Sequence, residues 1–264
     1  MKKAQKNWWK SFFKPITGEV MFKSREGKQT AMEVDEVLRQ AKIKEPCSVL
    51  DLACGEGRHS IELAKRGFDV IGLDYTKSFL DVAEIRAKVN KLEIGFIRGD
   101  MKETSKYFEK NSFDLVVSLY NSFGFFDKRS DDFRVIKEVS KVLKPGGFFV
   151  INTINGDGAK HRLAKPLNAG YEISKNVFMI DQANLDFKKM RTQSHWTIID
   201  ARTKKTEITR GSFSQNVYSH KEMKAMLKKA GFRVVNTWGV LQGGKFDEKT
   251  SWHQTVIAQK IAKK

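Results

Sequence analysis

Three carboxylates stand at the ends of apolar runs, each followed by residues suited to hold a nucleoside. Asp51 lies inside the run Val49-Leu50-Asp51-Leu52, and Gly55 and Gly57 follow it in the stretch 49–60, VLDLACGEGRHS. Two glycines at that spacing let backbone approach a ligand closely. A helix opening behind them directs its unpaired N–H groups to the same point. Asp74 closes the run 68–74 (FDVIGLD), 19 positions after Gly55, close to the spacing at which an acid meets ribose hydroxyls. Asp100 closes the run 94–101 (IGFIRGDM), where a carboxylate accepts from an exocyclic purine amine while Met101 lies on the ring. A fourth run, 113–119 (FDLVVSL), empties into Tyr120-Asn121-Ser122-Phe123-Gly124.

The turn also says which nucleoside fits. A dinucleotide fingerprint carries a third glycine where this chain has Ser60, and its strand ordinarily lacks a charge such as Asp51. A diphosphate is repelled by that carboxylate. A sulfonium carrying an amino group is drawn to it, because the acid offsets the cost of bringing positive charge into a dry pocket. Singly, an acid at a strand end is ordinarily a helix N-cap, and Gly-x-Gly is a common turn. Four such ends in succession argue for one crevice.

These residues need strands and helices in alternation to bring them together. Thr30 and Glu33 form a capping-box pattern opening a helix whose apolar side is Met32, Val34, Val37, Leu38 and Ala41, and Pro46 follows its end. Helical spacing recurs over residues 58–66, 77–89 and 131–143, the last closed by Lys144-Pro145-Gly146-Gly147, and residues 148–154 make a fifth strand. Alternation of this kind implies parallel strands joined by right-handed crossovers, an α/β fold.

The segments VLDLACGEGRHS, VIGLD, FIRGDM, FDLVVSLYNSFGFF and VLKPGGFFVI together resemble motif I and the later motifs of class I S-adenosylmethionine-dependent methyltransferases, of a small-molecule type with GRHS after the glycine turn and YNSFG after strand four. The resemblance implies a Rossmann-like, doubly wound sheet of seven strands with the last antiparallel, and S-adenosylmethionine as cofactor. It places Asp51, Gly55 and Gly57 along the methionine part, Asp74 at the ribose, Asp100 and Met101 at the adenine, and Leu119, Asn121 and Phe123 at the methyl-transfer face. Ala53, Arg58 and Tyr75 join the cofactor-binding set. The Asn/Asp-Pro-Pro-Tyr/Phe motif of nucleobase amine methyltransferases is absent, since this chain reads Tyr120-Asn121-Ser122-Phe123.

Residues 155–218 exceed the minimal fold. After a polar loop over 155–170, the stretches 177–187, 195–200 and 206–218 are β-branched and aromatic, which predicts an antiparallel meander over the sheet's carboxyl ends, as a substrate lid or a dimer surface. The core is then residues 29–154 and 219–264. Ser219 and Glu222 form a second capping box, opening a helix over 219–230, and strands six and seven occupy 232–240 and 252–260. Residues 1–28 set Trp8, Trp9, Phe12, Phe13 and Phe22 among lysines. They form either a satellite hydrophobic cluster or an aromatic lid facing a sulfonium or amine.

Composition bounds the rest. The 264 residues are 40% hydrophobic, enough for a full core, and no apolar run reaches the roughly 18 to 20 residues of a membrane span, so a soluble cytoplasmic protein is expected. Cys47 and Cys54 are expected as reduced thiols, and the ligand spacing of a metal site is missing. A net charge of +18 from 49 Lys and Arg against 31 Asp and Glu fits either a solvated basic coat or an anionic partner such as RNA. Candidates for a general base are His59, His195, His220, His253, Tyr120 and Tyr218, with Tyr120, Asn121 and His195 taken as the catalytic set. The reading is methyl transfer to a nitrogen or oxygen of a small molecule by a monomer or homodimer. RNA methylation, a cofactor-binding protein without catalysis and an NAD-type oxidoreductase stand as alternatives.

Overall fold

The computed structural model describes residues 6–22 and 27–262. Expectations on residues 1–5, 23–26 and 263–264, including Lys2, Lys3, Lys263 and Lys264, lie outside the described residues. Three helices come first, α1 (Trp9–Phe12), α2 (Pro15–Phe22) and α3 (Lys28–Ala41). The alternating part then runs β1 (Ser48–Leu52), α4 (Arg58–Ala64), β2 (Asp69–Asp74), α5 (Lys77–Val89), β3 (Gly95–Arg98), β4 (Phe113–Ser118), α6 (Arg129–Val142) and β5 (Leu143–Ile154). The excursion comprises α7 (Gly156–Arg162), β6 (Leu167–Ser174), β7 (Val177–Asp186), β8 (Arg191–Asp200) and β9 (Glu207–Asn216), and α8 (His220–Lys229), β10 (Phe232–Trp238) and β11 (His253–Lys260) complete the chain.

Seven strands form one sheet in the order β10-β11-β5-β4-β1-β2-β3, and β11 alone runs antiparallel to its neighbours. The sheet separates its side chains by the period of two that a pleated strand imposes. Val49, Leu115, Val117 and Val150 meet Val34, Val37 and Leu63 of α3 and α4. Leu50, Leu52, Val116 and Ile151 meet Ile136, Val139, Met223 and Leu227 of α6 and α8 on the other face. A strand buried on both faces reads as a continuous apolar run, and for that reason β1 and β4 are legible in the sequence.

Residues 155–218 form a four-stranded antiparallel sheet in the order β6-β7-β8-β9. The chain leaves the core and returns to it at one place, because Gly156 donates its N–H to the Tyr218 carbonyl at 2.8 Å and Asn155 bridges Tyr218. That place is the carboxyl end of β5, beside the candidate crevice. The polar loop expected over 155–170 is instead α7 followed by β6. Asn155 caps the helix through its side chain, and β6 is an edge strand with no buried residue, which carries little hydrophobic period.

The capping box at Thr30 and Glu33 is not formed. Helix α3 starts earlier with Gly27 at its N-cap and no side-chain cap, because Glu33 turns inward to bind Arg58 and His59. The box at Ser219 and Glu222 is complete in both directions. The aromatic segment docks onto the body. Trp8 and Phe12 lie against Phe213 of β9, Phe12 also meets Trp196 of β8, Trp9 meets Tyr75 and Phe126, and Phe22 meets Phe79 and Tyr120. It is thus wedged between the inserted sheet and the ends of the core strands.

Candidate functional site

The strand ends shape the site through backbone that most residues avoid. Ala53, at the end of β1, has φ 61°, and its N–H bonds the Leu73 carbonyl at 2.7 Å. Gly55 and Gly57 follow at φ 58° and 75°. A Cβ on Gly57 would stand 2.9 Å from that of Ala83 and 3.1 Å from the Phe96 ring, so this glycine secures close packing of the turn on α5 and β3. After β4, Tyr120 and Asn121 are both left-handed, at φ 58° and 61°. Two successive such residues store strain of about 1 kcal/mol each. Surrounding bonds hold them: Asn152 Oδ1 accepts the Asn121 N–H at 3.3 Å, and Gln215 of β9 donates to the carbonyls of Asn121 and Phe123 at 3.2 and 2.6 Å.

A first cavity lies over these ends, walled by Ala53, Gly55, Arg58, Asp74, Tyr75, Asp100, Met101, Leu119 and Tyr120 of the expected set. Trp9, Phe13, Met21 and Phe22 of the aromatic segment close it from above, leaving about 90 Å³ free. Small-molecule pockets are ordinarily several hundred Å³, and the aromatic segment takes up part of the space over these strand ends. Asp74 accepts from the Gly55 N–H at 2.9 Å and from the Thr76 N–H at 2.7 Å. Burial pushes its carboxyl up, and these backbone bonds oppose the shift. Asp100 accepts from the Lys102 N–H at 2.9 Å as an N-cap. Both acids therefore cap a turn and also face the cavity, each oxygen keeping lone pairs for a ligand.

Asp51, Gly57, Asn121, Phe123 and His195 stand off this wall. Asp51 is buried beneath the turn, where Ser60 Oγ donates to it at 2.6 Å; burial pushes its carboxyl up to about 6 despite that bond. It braces α4 against β1 and is absent from the cavity lining, where Asp74 and Asp100 stand, so the three acids do not share one cavity as expected. Phe123 is core, its ring 5.7 Å from that of Tyr218. His195 falls on the outer row of β8, since Thr192, Ser194 and Trp196 face inward; its Nδ1 pairs with Ser212 Oγ at 2.6 Å. Its Nε2 is buried without a hydrogen-bond partner, and the ring lines neither cavity. Tyr218 donates to Asp132 at 2.7 Å and His220 pairs with Gln254, both within the body.

A second, larger chamber of about 580 Å³ adjoins the first and shares Phe13, Met21, Tyr120 and Phe125 with it. Its walls are the inner face of the inserted sheet, the aromatic segment, Asn121 and His253. Asn121 Nδ2 lies 3.1 Å from His253 Nε2, and Asn121 Oδ1 is buried without a partner. His253 stood among six candidates in the sequence. Only the antiparallel register of β11 on β5, which pairs His253 with Ile154, brings it to the strand ends.

Beside the first cavity Glu33 receives Arg58, His59, Gln29 and Gln242. Burial would raise Glu33, yet hydrogen bonding and charge from His59 and Arg58 hold it at about 2. Burial and the Arg58 charge lower His59 to about 4, so this histidine is a neutral strut at pH 7. A carboxyl lowered on folding stabilises the fold above its unfolded pKa of 4.5 and ceases to as pH falls toward 2. Denaturant unfolding should therefore show a stability gap between the wild-type chain and Glu33→Gln that is widest near pH 7 and narrows by on the order of 3 kcal/mol below pH 4.5. A gap independent of pH removes this role.

The wall fits S-adenosylmethionine by the chemistry of its donors and acceptors. Arg58 Nη2 is buried without a partner, and the guanidinium lies 5.0 Å from the centre of the Tyr120 ring; a carboxylate such as that of an amino acid satisfies it. Asp74 and Asp100 offer acceptors to hydroxyls and an amine, and Met101 and Tyr75 offer apolar faces.

This fold and this wall define the class of S-adenosylmethionine-dependent methyltransferases. Residues 43–231 match the methyltransferase-domain family, and the chain belongs to it. The chain is 34% identical over 113 residues to the putative methyltransferase YqeM of Bacillus subtilis (strain 168), which covers 43% of this chain and 44% of that protein. It is 28% identical over 160 residues to the ubiquinone biosynthesis O-methyltransferase of Pelagibacter ubique (strain HTCC1062), covering 58% and 62%. The chain thus spans less than two thirds of the length of these curated relatives. Its fold matches that of an S-adenosylmethionine-dependent methyltransferase from Clostridium acetobutylicum ATCC 824 with a TM-score of 0.79 at 16% identity, over 94% of this chain and 97% of that one. It also matches S-adenosylmethionine-bound CalS10, an amino pentose methyltransferase from Micromonospora echinaspora, at 0.66 and 17%, over 95% and 98%. At such identities the likeness is one of fold.

Proposed function

We propose that this chain transfers a methyl group from S-adenosylmethionine to a nitrogen of a small molecule seated in the chamber under the inserted sheet. The observation that carries this reading is the adjacency of two cavities with different walls. One sets Asp74, Asp100 and Arg58 at the strand ends and suits an adenosyl amino acid; the other is larger and lies under the inserted sheet, and Tyr120 stands between them. Residues 155–218 are then a substrate lid, and residues 8–22 a cover over both compartments. Nitrogen is placed ahead of oxygen because aromatic side chains are plentiful in the chamber wall, where they suit a cationic amine.

When bound, the cofactor supplies a methyl already activated on its sulfonium, so the chain has to orient the acceptor and exclude water. Asp74 would hold the ribose, Asp100 and Met101 the adenine, and Arg58 and the Gly55 backbone the amino-acid end, with Leu119 and Tyr120 on the side toward the second chamber. Asn121 Oδ1, buried and unpartnered, accepts an N–H of the incoming amine and turns its lone pair toward the other cavity. His253 Nε2, which accepts from Asn121 Nδ2 at 3.1 Å, takes the proton that an ammonium must lose before it can attack once the incoming nitrogen displaces that amide donor.

Calorimetry with S-adenosylmethionine against NAD, followed by transfer of labelled methyl to a panel of small amines, alcohols and RNA, tests the reading. Micromolar binding of S-adenosylmethionine with label appearing in amines supports it. Preferential binding of NAD, or label appearing in RNA alone, overturns it.

A further inference from the structure

The inner row of β7 is apolar at Val177, Met179, Ala183 and Leu185, all buried. Asp181 occupies the middle of that row. A strand facing an interior through every second residue places an acid there only at a cost. The cost is visible in the bonding, for Asp181 Oδ1 is buried and has no hydrogen-bond partner. Trp196, opposite it across the β7 and β8 ladder, leaves its own Nε1 buried without a full hydrogen bond. Burial raises the Asp181 carboxyl, and the nearby indole N–H only partly opposes this.

Among the described residues that line the chamber, the one lysine or arginine is Arg162, at its rim. Lysine is absent from the described residues that line the chamber, in a chain of net charge +18. Arg162 stands at the exposed rim, 5.2 Å over the Trp252 ring. Trp196 stands opposite the carboxylate, and Phe12 and Phe213 pack on Trp196 with Trp8 beside Phe213 in the same wall; aromatic faces attract a cation and not an anion. An unanswered acid inside an aromatic chamber, beneath an otherwise basic exterior, has the complementarity of a site for positive charge.

We propose that Asp181 is the positioning residue that selects the acceptor, binding the ammonium group of an amine whose apolar body lies against Trp196 and Phe213. This rests on the preceding reading of the chamber as the acceptor site and names what that chamber takes. The acceptor is a cation on arrival, and neutral or anionic molecules of the same shape are rejected because they leave Asp181 unpaired or repelled.

The test uses three probes of one shape, phenethylamine, 2-phenylethanol and phenylacetate, titrated at pH 7 into the full chain loaded with S-adenosylhomocysteine, with quenching of tryptophan fluorescence and calorimetry as readouts. The amine should bind at least about tenfold tighter than the alcohol, with phenylacetate weakest, and Asp181→Asn should bring amine and alcohol within about twofold. Asp181→Asn should keep the thermal midpoint and the S-adenosylhomocysteine affinity of the parent, and Asp181→Glu should restore part of the preference. Equal affinity of amine and alcohol in the parent, binding of none of the three, or a preference that survives Asp181→Asn overturns the assignment. Failure of the parent to bind S-adenosylmethionine overturns the methyl-transfer reading instead, and is read in a separate titration.

Discussion

Asp74→Ala is expected to weaken S-adenosylmethionine binding by about 10- to 100-fold, or roughly 1 to 3 kcal/mol, measured by calorimetry at pH 7. Two effects act in the same direction. The proposed charge-assisted bonds to the ribose hydroxyls are lost, and so are the bonds that Asp74 accepts from the N–H groups of Gly55 and Thr76. The second loss loosens the turn after β1, where Gly55 keeps a left-handed backbone, so the cavity wall becomes less well ordered before any ligand arrives. Asp74→Asn separates the two effects: an amide oxygen still accepts one backbone bond but presents no charge. Its binding should fall between that of the parent and of the alanine variant. Affinity for S-adenosylmethionine unchanged in Asp74→Ala removes the ribose assignment.

The prominence of Asp74 in the sequence, against the obscurity of His253, follows from how each is positioned. Asp74 and Asp100 end strands whose apolar residues are contiguous and whose order in the chain is their order around the crevice, so local pattern alone puts them at one edge of a parallel sheet. Asp51 has the same local signature and a different role, because its side chain points to Ser60 under the turn; no pattern in one dimension distinguishes an acid beneath the turn from one above it. His195 lies in a β-rich stretch, where a shift of one residue decides which face of the strand a side chain occupies, and Trp196 holds the inward place. His253 depends on pairing between strands nearly a hundred residues apart, β11 with β5, and Asp181 on how a whole inserted sheet folds over the core. Glu33 carried the expected capping pattern but is taken by Arg58 and His59, since a buried guanidinium needs its counter-charge more than a helix end needs its cap. Motifs close in sequence were readable, and sites assembled across the sheet were not.

His253→Ala tests the part assembled across the sheet. With the best amine acceptor found, kcat should fall by about 10²- to 10⁴-fold, the range that proton transfer by a positioned side chain supplies, while the affinity for S-adenosylmethionine stays within about twofold. The split is expected because His253 lines the larger chamber and is absent from the wall of the adenosyl cavity. The loss has a second source: Asn121 Nδ2 pairs with His253 Nε2, and without the ring the amide turns freely about its side chain, so Oδ1 no longer points reliably to the acceptor nitrogen. The backbone of Asn121 is held independently, by Asn152 and by Gln215, which keeps the left-handed turn after β4 intact in the variant. A strongly basic amine is mostly protonated at neutral pH, so its loss of rate should be greatest near pH 7 and shrink as pH rises toward the pKa of the free amine, where solvent has already removed the proton. A kcat within threefold of the parent at pH 7, or a deficit of equal size at every pH, would take the proton-accepting role away from His253 and leave Asn121 to orient the acceptor alone.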